Sequence, residues 1–107
     1  MKQMSPTELQ AFLNTGVKPL MIDVREAHEL SNGMIDGAKH IPMNDVPARL
    51  DEFADYKDHT VVLICRSGKR SAQVGQYMEH AGFTDVINLD SGMNGWASDV
   101  DTTMTVY

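Results

Sequence analysis

The chain has 107 residues, 42% of them apolar and 22% charged, with a formal net charge of −6 at pH 7. That length holds one hydrophobic core, that balance suits a globular domain, and the acidic surplus argues against nucleic acid or an anionic membrane as partner. One cysteine excludes an internal disulfide and fits a reducing compartment; no window reaches the roughly 18 apolar residues of a membrane span, and no secretory signal opens the chain, so a cytoplasmic location is expected.

The elements follow in chain order. Ser5 is placed to cap a helix, with Pro6 in its first turn and Glu8 completing a capping box; Leu9, Phe12 and Leu13 share a face, and Gly16 ends it. Residues 19–24, PLMIDV, form a short apolar run that reads as a buried strand, and EAHELSNG (26–33) is a short helix candidate closed by Asn32-Gly33. KHIPM (39–43) offers a short strand, and VPARLDEFADY (46–56) has helical spacing in Val46, Leu50 and Phe53. TVVLI (60–64) is the strongest strand signal, apolar on both faces, as in a parallel sheet covered by helices. A helix over 71–83 presents Val74, Tyr77, Met78 and Ala81; a strand over 85–89 and a short helix around Trp96 follow. The core is expected within 5–98, with 99–107 as a tail. Alternating strands and helices predict one α/β domain over 1–107 with a mainly parallel sheet.

Ligands bind beyond the carboxyl ends of the strands in such sheets, where helix N-termini also point. Cys65 follows the best strand, and Ser71 opens the best helix. Between them lie Arg66, Ser67, Gly68, Lys69 and Arg70, so three of the nine basic residues stand beside the only thiol. Cations and a helix start both favour a thiolate, and Gly68 permits the backbone turn of an anion nest. A buried structural cysteine is the plainer alternative, and this placement disfavours it. A nucleotide-binding loop fails, because Leu63 falls at the first required glycine and Arg70 at the required hydroxyl. A cysteine hydrolase needs an activating histidine; His28, His40, His59 and His80 lie in no such motif and read as surface or satisfied polar residues. Cysteine phosphatases place five residues between cysteine and arginine, whereas Cys65 and Arg70 are separated by four. The tighter loop suits one sulfur atom better than a phosphoryl group.

Three stretches then resemble the rhodanese family of sulfurtransferases, in order, over about residues 20 to 97: MIDVREAHELSNGMIDGAKHIP, CRSGKRS and DVINLDSGMNGW. Met34, Asp36 and Ser91 depart from residues common in that family, and none lies in the cysteine loop. The resemblance implies a three-layer α/β fold with a central, mainly parallel five-stranded sheet flanked by helices on both faces. It further implies that Cys65 accepts sulfane sulfur from an anionic donor such as thiosulfate. The resulting persulfide would pass its outer sulfur to cyanide or a thiol, with thioredoxin or another sulfur-accepting protein among the candidate partners. The backbone N–H groups of Arg66, Ser67, Gly68, Lys69, Arg70 and Ser71 would cradle it, Arg66 and Lys69 steering the donor. Arg70 is expected either at the substrate or on a carboxylate such as Asp23. Asp23 and Arg25 are expected as a supporting ion pair. No cofactor, metal, nucleic acid or membrane is expected. A sulfur carrier without turnover is the alternative function; a phosphatase or arsenate reductase on the same fold is less favoured.

Overall fold

A computed structural model describes all of residues 1–107. Five strands, β1 (Lys2–Met4), β2 (Leu20–Asp23), β3 (Lys39–His40), β4 (Thr60–Ile64) and β5 (Asp85–Leu89), form one sheet in the order β1-β5-β4-β2-β3. Every pairing is parallel. Four α-helices accompany them: α1 (Pro6–Asn14), α2 (Val46–Arg49), α3 (Lys69–His80) and α4 (Gly92–Asp99). No helix is long and apolar enough to cross a membrane.

The period of two in β4 divides the core. Val61, Leu63 and Cys65 join one cluster with Val46, Phe53, Val74 and Met78, which covers the face below α2 and α3. Val62 and Ile64 join the other with Leu9, Met93 and Trp96, beneath α1 and α4. Both clusters are apolar because β4 lies between two helical layers. Cys65 extends the first set of residues, so its side chain is directed towards the α3 layer.

Local chemistry explains most element boundaries. Glu8 N–H donates to the Ser5 hydroxyl at 3.2 Å and Ser5 N–H to the Glu8 carboxylate at 2.9 Å, the expected capping box. β3 stops after His40, two residues before Pro42, which lacks an N–H for the ladder. The stretch 46–56, expected as one helix, divides into α2 and a 3₁₀ helix (Leu50–Tyr56), and Phe53 leaves helical angles where its ring enters the core. Helix α3 starts at Lys69, two residues before the expected Ser71, so Arg70 and Ser71 belong to its first turn.

Two differences arise from long-range contact. β1 was not expected as a strand, since three residues, two of them exposed, carry no period; pairing of Lys2, Gln3 and Met4 with Ile87, Asn88 and Leu89 makes it one. Residues 101–107, expected within the tail, fold back over the molecule. Thr105 N–H donates to the Asn32 carbonyl at 3.0 Å and Tyr107 N–H to Asn94 Oδ1 at 2.8 Å.

Candidate active site

Cys65 ends the buried strand and is 1% exposed. The chain turns at Ser67 and Gly68, and the Gly68 N–H returns to the sulfur, donating to Cys65 Sγ at 3.0 Å. Gly68 has φ +97°, and a Cβ there would run into the Asp90 carbonyl. Both facts require glycine. The Ser71 hydroxyl lies 3.3 Å from Sγ, and the backbone N–H groups of Ser71 and Ser67 also face the sulfur. The Ser71 N–H, in the first turn of α3, has no carbonyl partner within the helix, which leaves it for an anion. Burial pushes the Cys65 thiol up, but the Ser71 hydroxyl and the N–H groups of Ser71, Gly68 and Ser67 outweigh it. The net direction is below the ordinary thiol value.

The outer side of the loop is held by α4. Met93 N–H donates to the Cys65 carbonyl at 2.8 Å and Asn94 N–H to the Arg66 carbonyl at 3.0 Å. Gly92, with φ +61°, permits this approach, since a Cβ there would meet the Arg66 carbonyl. The carbonyls of Cys65 and Arg66 thus point away from the sulfur into α4, while the Gly68 N–H turns back to it.

Asn88 closes the inner side. Its Nδ2 donates to the Gly68 carbonyl at 3.2 Å and to Gln3 Oε1 at 2.9 Å, and its Oδ1 accepts from the Ser71 hydroxyl at 2.5 Å. A carbonyl only accepts, so Gly68 fixes which end of the amide faces Ser71. The serine hydroxyl has a single hydrogen and two acceptors in reach. Asn88 Oδ1 and Cys65 Sγ both lie within its donating reach, and an anionic sulfur is the stronger acceptor than a thiol.

The basic residues divide by role. Arg70 is not paired with Asp23: it meets Glu29 through two parallel bonds of 2.6 and 2.8 Å. The Arg70 bonds hold the Glu29 carboxyl at about 2 against the opposing effect of burial, with help from the Tyr107 hydroxyl at 2.7 Å, so the pair stays ionised across the physiological range. Asp23 and Arg25 form the expected ion pair at 2.7 Å, both side chains fully buried. Arg25 also donates to the carbonyls of Glu29 and Gly33 and to the Tyr107 hydroxyl, which ties the strand end to the segment bearing Glu29. Arg66 lies with its guanidinium 4.9 Å from the Tyr107 ring centre.

A polar cavity of about 390 Å³ is lined by His28, Glu29, Asn32, Arg66, Arg70 and Tyr107. Lys69 is exposed and outside that wall, which separates it from Arg66. His28, His59 and His80 are exposed, and His40 is satisfied by the Arg25 carbonyl at 2.7 Å. The sequence reading missed Glu29, Asn88 and Tyr107. Asn88 had a signal, a polar residue inside an apolar strand run; Glu29 and Tyr107 had none, because their partners are distant in sequence.

The arrangement favours the anionic form of a buried sulfur, with the unpaired Arg66 at the neighbouring cavity. It can take a charged atom at the sulfur and admit a small anion to the cavity. The rhodanese-like domain family model matches residues 5–99. A sulfurtransferase of Allochromatium vinosum is 41% identical, covering 73% of this chain and 71% of that protein. The thiosulfate sulfurtransferase GlpE of Stutzerimonas stutzeri is 30% identical, covering 89% of this chain and 84% of its own length. The crystal structure of a rhodanese-like domain protein from Staphylococcus aureus superposes with a TM-score of 0.83 at 33% identity, covering 100% and 99% of the two chains. The chain therefore belongs to the rhodanese-like domain family, and its relatives support sulfur transfer as its class of chemistry.

Proposed function

We propose that the protein is a sulfurtransferase that carries sulfane sulfur on Cys65, with thiosulfate or a similar anion as donor and cyanide or a thiol as acceptor. The observation that carries this reading is the convergence of the Gly68 N–H and the Ser71 hydroxyl on Sγ, with the Cys65 and Arg66 carbonyls turned away into α4. The Cys65 thiolate attacks the outer sulfur of the donor. The sulfur–sulfur bond of thiosulfate breaks, and sulfite leaves with the electron pair. The persulfide keeps one negative charge on its outer sulfur, where the converging donors offset it. An acceptor then attacks that sulfur, the Cys65–sulfur bond breaks, and the thiolate is restored; cyanide leaves as thiocyanate.

Burial of Cys65 supports transfer of a single atom, because the loop closes tightly around the sulfur. Four residues between Cys65 and Arg70, and an Arg70 engaged by Glu29, leave no loop-closing arginine free to clamp a phosphoryl group carried on Cys65. Mass spectrometry after incubation with thiosulfate tests the proposal. We expect a gain of one sulfur atom on the intact chain, reversed by cyanide and absent in Cys65→Ser. A gain that persists in Cys65→Ser, or none in the wild type, would overturn it. A cytoplasmic setting, with protein thiols as acceptors, belongs to the same proposal.

A further inference from the structure

Residues 101–107 contain no strand or helix, yet they are anchored beside the cysteine loop. Asp101 N–H donates to the Trp96 carbonyl at 2.9 Å, Thr105 N–H to Asn32 and Tyr107 N–H to Asn94. The Tyr107 hydroxyl accepts from Arg25 at 3.1 Å and donates to Glu29 at 2.7 Å. These bonds fix the ring as one wall of the polar cavity.

The charges around that cavity are not equivalent. Arg70 is neutralised by two bonds to Glu29, and Arg25 by Asp23. Arg66 has no ion pair, and its guanidinium makes no hydrogen bond to the protein; its only specific neighbour is the Tyr107 ring. A cation–π contact attracts the guanidinium without using its N–H donors, which stay without a protein partner. An exposed arginine on a loop otherwise samples many rotamers, so the ring supplies orientation that the loop lacks.

We propose that Tyr107 is a positioning residue for an anion seat: its ring holds the Arg66 guanidinium at the cavity, where the free N–H edge receives the oxyanion end of the sulfur donor. The class of ligand is a small tetrahedral oxyanion bearing sulfur. The seat deepens the sulfur-transfer reading, but its existence does not require that Cys65 react.

The test uses the full chain carrying Cys65→Ser, so that thiosulfate binds without chemistry, at low ionic strength, with backbone and arginine Nε resonances followed by NMR. We expect saturable shifts centred on Arg66, and their loss in Arg66→Gln. Adding Tyr107→Ala weakens thiosulfate binding by about two- to fivefold, the equivalent of an exposed cation–π contact. Adding Tyr107→Phe costs less affinity than Tyr107→Ala, because the ring and its backbone anchor at Asn94 remain although the hydroxyl bonds are lost. Affinity unchanged in Tyr107→Ala, equal losses in the Ala and Phe variants, or shifts that bypass Arg66 would each overturn the proposal. The same spectra show whether each variant is folded. Failure of the sulfur-transfer reading looks different: wild-type protein forms no persulfide while Tyr107-dependent binding at Arg66 persists.

Discussion

At the scale of single residues, the state of the sulfur is decided by Ser71 and its partner Asn88. Burial alone would keep Cys65 protonated, and the surrounding donors reverse that direction. The Ser71 hydroxyl is the largest of these favourable contributions, at 3.3 Å from the sulfur. Replacing Ser71 by alanine removes one hydrogen bond to a charged sulfur, worth about 1.5 kcal/mol or more. The thiolate then forms at higher pH, since the donor that lowered the thiol value is gone. We expect the pH profile of iodoacetamide alkylation of Cys65 to move upward and the rate at neutral pH to fall by about tenfold. An unmoved profile would assign the stabilisation to the backbone alone. Glu29 shows a limit at this same scale, since nothing local in EAHELSNG marks it for burial, yet it is 7% exposed beneath Arg70.

At the scale of elements, the site is a joint among β4, α3, α4 and β5. The loop leaves β4, turns at Gly68 into α3, and is clasped from outside by the first turn of α4. Gly68 lies at the tightest point, in a left-handed conformation against the Asp90 backbone. Gly68→Ala therefore combines backbone strain with a collision that backbone cannot easily relieve. We expect it to cost about 2–4 kcal/mol in urea unfolding and to remove most persulfide formation. Normal loading in a destabilised Gly68→Ala protein would separate the loop geometry from the chemistry. Most of the loop was legible in CRSGKRS, since a strand ending in cysteine, a glycine and a helix start are local signals. The clasp by α4 was not, because it joins Cys65 and Arg66 to residues more than two dozen positions away.

For the whole molecule, stability is concentrated in the middle of the sheet. Val61, Val62, Leu63 and Ile64 are all 0% exposed, with helices on both sides, whereas β1 and β3 are short edge strands. Local opening follows burial and shared hydrogen bonding, so β4 and its neighbours β2 and β5 are expected to define the last-opening unit. Native-state hydrogen exchange should show β4 amides protected to near the global unfolding free energy, and β3 amides exchanging earlier. Equal protection in β3 and β4 would contradict this ordering. The cysteine loop is therefore anchored to the most deeply buried strand at one end and to the longest helix at the other. That placement suits a site which must hold one atom in fixed geometry.

The sequence by itself determined the α/β alternation, the buried parallel strand before Cys65, the glycine turn into a helix after it and the capping box at Ser5. Each of these depends on residues within a few positions of one another, where period, charge and glycine act directly. The tertiary structure alone decided that Lys2–Met4 is a strand, that Arg70 pairs with Glu29, that Asn88 orients Ser71, and that residues 101–107 return to place Tyr107 beside Arg66. These depend on contacts between distant segments, which no local pattern encodes. Their partners meet only once the two apolar clusters have closed on the sheet.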